Sequence, residues 1–198
     1  MFFQSVKQGT GKTKIALHEL LRVLRAVHSG KIEHEICIIG QEELIQAELG
    51  KYKYDAAKIT VIDARDVITN DDAPVRAVRS KKDSSIVKGI NMVKAGEGDI
   101  FISAGSTGAL MAGGLFLLGR IQGIDRPALA SVYPILGKKA SLLLDAGANA
   151  ECKPNNLLEF GIMGNIYMEK RCWEYGSMKY IFCLLRPSLR QGPERNRK

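Results

Sequence analysis

Between Glu35 and Lys170, short β-branched runs alternate with stretches of helical periodicity, and this alternation restricts the chain to few folds. Strands are expected over 35–39, 58–62, 99–102, 129–132 and 141–144. Helices are expected over 41–49, from Asp83 or Ser84 to Gly96, from just after Gly108 to about Leu118, and from Asn156 to about Lys170. Ile86, Ile90 and Val93 share one face of the second helix, and Gly96 stops it. Asn156 with Glu159 three residues on resembles a capping box. Strands and helices in this order make an α/β fold with a mostly parallel sheet.

The 198 residues are 45% hydrophobic and 25% charged, enough to bury a core. Net charge is +8, of which residues 1–30 carry +4 and residues 171–198 carry +5, leaving −1 for the stretch between. A nucleic-acid-binding face would draw its charge from the folded middle, so no nucleic-acid partner is expected. Cys37, Cys152, Cys172 and Cys183 form no Cys-x-x-Cys pair, and no histidine stands at metal-ligand spacing. No metal site and no disulfide are expected, and a cytoplasmic location is. Residues 100–119 carry no charge, but the turn chemistry of 103–108 divides the run, which argues against a membrane span.

Three segments bear chemistry. Ser103-Ala104-Gly105-Ser106-Thr107-Gly108 joins a strand to a helix, which in a parallel sheet puts it at the ligand-binding edge. Glycines let backbone N–H groups approach an anion, and hydroxyls add donors. A tight turn capped by Ser106 or Thr107 explains the same residues without a ligand. Asp145-Ala146-Gly147-Ala148-Asn149, followed by Lys153, stands at the end of the 141–144 strand. An aspartate there can orient a nucleophile, and an asparagine amide can donate to an oxyanion; both residues are also ordinary turn formers. On this reading the two loops share one sheet rim. The third segment, 71–85, places Arg76, Arg79, Lys81 and Lys82 after an acidic turn, as a phosphate clasp or as a solvated charge run.

Leu17, Leu20, Leu21, Leu24 and Val27 fit one face of a helix ending near Gly30. Gly9-Thr10-Gly11-Lys12-Thr13 suggests a nucleotide-binding P-loop, but Val6 stands where that motif needs glycine. His18, His28 and His34 all lie in the first 34 residues, and no nucleophile elbow occurs.

Taken together, residues 71–85, 103–110, Gly119-Arg120-Ile121, Gly123-Ile124-Asp125-Arg126-Pro127-Ala128-Leu129-Ala130, 142–149, Lys153-Pro154 and Ile162-Met163-Gly164 closely resemble the phosphate acyltransferase family of bacterial phospholipid synthesis (PlsX-type). The resemblance runs through residues 31–170. It implies a three-layer α/β/α fold like that of isocitrate and isopropylmalate dehydrogenases, incomplete here, and a homodimer in the intact family. The implied reaction is attack of inorganic phosphate on the thioester of fatty acyl carrier protein, giving acyl-phosphate and free carrier, with no cofactor or metal. A membrane glycerol-3-phosphate acyltransferase then takes the acyl-phosphate, which allows peripheral contact with the membrane. Arg76, Arg79, Ser103, Gly105, Ser106, Thr107 and Gly108 become the expected phosphate-binding residues, and Asp145, Asn149 and Lys153 the expected catalytic ones. The family usually has Asn at the position of Ser106.

The resemblance stops at both ends. The family opens with a strand ending in Asp-Ala-Met-Gly-Gly-Asp, to which nothing before Ser29 corresponds, and it continues past Lys170 with further strands. The expected organisation is therefore an aberrant helical segment over 1–30, a partial acyltransferase α/β domain over 31–170 and an aberrant basic tail over 171–198. A shifted reading frame or a degenerate gene is the hypothesis for these ends, and all three segments in one undisturbed frame of the nucleotide sequence would dispose of it. A sheet without its remaining strands exposes apolar edges, so a poorly soluble chain of doubtful activity is expected. The alternatives are an inactive fragment of that enzyme and a P-loop-like nucleotide-binding protein.

Overall fold

The computed structural model describes residues 2–4, 35–133, 141–147, 149 and 152–171. The chain divides into two compact units, Met1–Arg120 and Ile121–Lys198.

The first unit holds a four-stranded sheet of β1 (Phe2–Gln4), β2 (Ile36–Gly40), β3 (Ile59–Asp63) and β4 (Phe101–Ile102) in the order β3-β2-β1-β4. Every pairing in it is parallel, with Ile36 opposite Ile59 and Phe2 opposite both Cys37 and Phe101. The expected α/β character with a parallel sheet is met. Alternation along β2 sends Ile36 and Ile38 to one face, where they pack with Ile45 and Leu49 of α1 (Glu42–Leu49). Cys37 and Ile39 go to the other face, where they meet Met92 and Val93 of α3 (Ser85–Ala95). Helices thus cover both faces of this strand, and Ile36, Ile38 and Ile39 are almost wholly buried.

Strand β1 lies inside the segment read as helical, where the sequence reading found no strand. Three residues are too few to display a period, and their partners are more than thirty positions away. A second element the sequence missed is α2 (Pro74–Ser80), inside what reads as a charged loop. Proline at its first position lacks only an N–H that has no intrahelical partner anyway. Ala77 and Val78 then bury against Ile86, Val87 and Ile90 of α3.

Helix α3 follows its expected limits closely. Ser84 accepts from the Val87 N–H, and Gly96, at φ 77°, closes the helix with its own N–H on the Val93 carbonyl. Gly89 lets α3 sit on β4, because a Cβ there would fall 2.2 Å from the Phe101 ring. After β4, helix α4 (Thr107–Gly113) widens into a π turn over Gly114–Leu118 and stops at Gly119, whose φ is 101°. The uncharged run 100–119 is thus strand, turn and helix. No described helix is long and apolar enough to cross a membrane.

The second unit contains β5 (Ala130–Tyr133), β6 (Ser141–Leu144) and α5 (Pro154–Arg171). Sequence reading had put β6 in the parallel sheet; among the described residues its partner is β5, antiparallel, with Ala130 opposite Leu144. Strands this close in sequence can pair through a short connection, whereas a parallel pairing needs a crossover. Helix α5 buries Asn156, Phe160 and Met168, and a Cβ on Gly164 would stand 2.6 Å from Leu144 Cδ1. It begins two residues before the expected Asn156. The capping pair also works differently: Asn156 Oδ1 accepts from the Lys153 N–H, while Glu159 accepts from the Asp125 N–H at 3.0 Å.

The expected helix over residues 17–27, the P-loop-like 9–13, the three histidines and the tail from Cys172 onward lie outside the described residues.

Candidate functional site

The expected site residues fall into two groups. Arg76, Arg79 and the 103–108 turn belong to the unit ending at Arg120, and Asp145, Asn149 and Lys153 belong to the unit beginning at Ile121.

In the first unit the turn follows β4 and is held by its own hydroxyls. Ser103 Oγ accepts from the Gly105 N–H at 3.1 Å, and the buried Ser106 Oγ accepts from the Ala109 N–H at 3.3 Å. Of the two caps considered, Ser106 is therefore the one used. Thr107 and Gly108 are exposed, and their N–H groups, at the first positions of α4, have no protein acceptor among the described residues.

Gly108 brings the turn close to α2: a Cβ on it would lie 2.8 Å from Pro74 Cγ. Helix α2 in turn supplies the arginines. An open depression of about 550 Å³ is lined by Ala73, Pro74, Val75, Arg76, Arg79 and Ser80. Arg79 lies over the Phe116 ring, 5.5 Å from its centre, whereas the Arg76 side chain has no partner among the described residues.

The lysine beside them does other work. Lys81 Nζ donates to the Val67 carbonyl at 2.8 Å and to Asp72 Oδ2 at 2.7 Å, so it ties down the ends of α2. Asp72 also accepts from the N–H and hydroxyl of Thr69. The Lys81 ammonium first, and the Thr69 donors after it, pull its carboxyl down to about 2. Asp83 is likewise lowered, chiefly by Lys88, and anchors the Arg65 N–H. Of the basic residues in 71–85, Arg76 and Lys82 are exposed with no side-chain partner among the described residues, and Arg76 is the one that lines the depression.

In the second unit Asp145 and Asn149 meet directly. Asp145 Oδ1 accepts from the Asn149 N–H at 3.1 Å and from its Nδ2 at 3.0 Å, and Nδ2 also donates to the Pro127 carbonyl. Asp145 is, among the described residues, the non-glycine residue with positive φ, 59°, a conformation that aspartate tolerates better than most. Gly147, at φ 92°, returns its N–H to the Asp145 carbonyl at 2.7 Å. The exposed Lys153 precedes α5. One neighbour went unnoticed in the sequence: Cys152 Sγ donates to Asp145 Oδ2 at 3.2 Å. Burial, and then that bond, push its thiol up. No spacing rule links residues 145 and 152; only the loop's path joins them.

No group of three metal-ligating side chains occurs among the described residues. What the two groups offer is donors for an anion in one unit and an oriented carboxylate with an amide in the other.

These features describe an α/β protein with an anion-suited turn, and comparison with known proteins makes the class specific. A family model described as "Fatty acid synthesis protein" matches residues 16–181. The chain belongs to that family. The match begins within the segment read as aberrant at the start and ends within the one read as aberrant at the finish. Similar relatives are phosphate acyltransferases. One from Alkaliphilus oremlandii is 60% identical over 135 residues, covering 68% of this chain and 40% of the relative. One from Clostridium tetani is 56% identical over 146 residues, 73% of this chain and 43% of the relative. One from Clostridioides difficile is 50% identical over 136 residues, 69% and 40%. The chain thus spans about two fifths of the length of the curated relatives it matches.

Proposed function

We propose that this chain serves transfer of a fatty acyl group from the thioester of acyl carrier protein to inorganic phosphate, in the synthesis of phospholipid. A phosphate oxygen attacks the thioester carbonyl, the C–S bond breaks, and the carrier thiolate leaves and takes up a proton. The observation that carries this reading is Arg76 of α2, whose side chain has no partner among the described residues, on a helix packed against the turn whose Thr107 and Gly108 N–H groups have no acceptor among them. Such donors suit a multiply charged oxyanion. Arg79, with its guanidinium on Phe116, adds charge, and Ser103, Gly105 and Ser106 hold the turn's shape. Asp145 and Asn149 are assigned to the acyl transfer itself, by orienting the attacking group and donating to the carbonyl oxygen, with Lys153 as a supporting charge.

The names of the relatives support the reaction class, and helix cover on both faces of β2 supports a three-layer, dehydrogenase-like fold. The acyltransferase domain is assigned to 31–170. A homodimer, delivery of acyl-phosphate to a membrane glycerol-3-phosphate acyltransferase and peripheral contact with the membrane complete the proposal. The test is a thioester assay on the 198-residue chain with acyl carrier protein. Free carrier thiol and acyl-phosphate should appear only when phosphate is present. Thiol release that ignores phosphate, or none at all, sinks the assignment.

A further inference from the structure

We propose that Cys152 is a positioning residue for Asp145, its thiol fixing the orientation of the carboxylate that the loop presents. The inference rests on the acyl-transfer role given to Asp145 above. Among the described residues, both donors on Oδ1 come from one residue, Asn149, in the same loop. A carboxylate gripped at one oxygen can still rotate about its Cβ–Cγ bond. A donor on the other oxygen removes that freedom, and the thiol at 3.2 Å from Oδ2 occupies that place. The carboxylate stands on a backbone already in the left-handed region, so its side-chain contacts are also what hold the loop in this turn. A thiol is a weak donor and serves only while protonated. Burial and the neighbouring carboxylate keep it so, and the Arg126 charge acts in the opposite sense with less effect. Cys152 also sits immediately before Lys153 and α5, which ties the loop to a packed helix.

The experiment compares the 198-residue chain with its Cys152→Ala and Cys152→Ser variants in two readouts. Hydrogen exchange at the Asn149 amide, which donates to Asp145, should quicken roughly two- to tenfold in Cys152→Ala, the scale of one lost hydrogen bond, and return toward normal in Cys152→Ser. Turnover should follow the same pattern in kcat, with KM for phosphate unmoved. Unchanged exchange in Cys152→Ala overturns the inference, as does equal damage from alanine and serine, which would mark a packing role. Exchange that responds in a chain without phosphate-dependent turnover overturns the acyl-transfer reading instead, and supports the thiol as the loop's holder.

Discussion

The two glycine-bearing turns differ in what their polar groups already do. At Asp145 the carboxylate is met on both oxygens, by Asn149 and Cys152, and Asn149 is in turn fixed to the Pro127 carbonyl. At 103–108 the Ser103 and Ser106 hydroxyls are engaged locally, yet the Thr107 and Gly108 N–H groups and the neighbouring Arg76 have no partner among the described residues. A turn that satisfies itself suits orientation of a reacting group, and one that leaves donors open suits capture of a ligand. On the proposed reading, two loops of similar composition therefore take on different chemistry.

The strongest way to break this contrast is Asp145→Ala. If the loop orients the reacting groups, turnover should fall by about 10²–10⁴-fold while phosphate affinity stays within about twofold. Rapid-mix kinetics beside phosphate-binding calorimetry would tell, and a variant that loses phosphate affinity instead would reverse the roles. Next in size is Arg76→Ala. Hydrogen bonds to charged groups are worth about 1.5–3 kcal/mol, so phosphate affinity should weaken roughly ten- to hundredfold. Arg79→Ala should weaken it less, because its guanidinium already lies on Phe116. Equal losses at the two arginines would mean that the stacking does not distinguish them.

What the sequence made legible follows from how local each signal was. Ser84 and Gly96 bracket α3 because caps act within one turn, and 141–144 stands out as an apolar run closed by Asp145. The glycine turn and Asp145 were visible as turn chemistry between periodic stretches. Phe2-Phe3-Gln4 was not legible, since its place depends on Cys37 and Phe101, remote in sequence. Helix α2 hid behind Arg76, Arg79 and Lys81, although Pro74 before an Ala77-Val78 pair was a usable start signal. The split between Lys81, held by Asp72, and Arg76, without a partner among the described residues, depends on the folded path of 67–81. The Cys152 contact depends on a left-handed aspartate that no residue pattern announces.

A smaller effect is expected from Ser106→Ala. Loss of an N-cap hydroxyl should lower stability by about 1 kcal/mol in urea unfolding, without the large rate effect of Asp145→Ala. A rate loss as large as that at Asp145 would place Ser106 among the groups that touch substrate and erase the distinction between the two turns.

The smallest expected effect concerns acid. Asp72 braces α2 through Lys81, and its folded-state carboxyl sits at about 2, below its ordinary 3.8. A carboxyl lowered on folding contributes stability that is fully present above its unfolded value and is lost as pH falls toward the folded one. Thermal unfolding of the wild type should therefore weaken between about pH 4 and pH 2 by more than that of Asp72→Asn, whose amide does not titrate. The side chains of Asp72 and Lys81 are partly exposed, so salt should narrow the difference. If the two proteins lose stability in parallel across that window, the Asp72–Lys81 pair is not what holds α2 beside the open turn. The accessibility of Arg76 would then need another source.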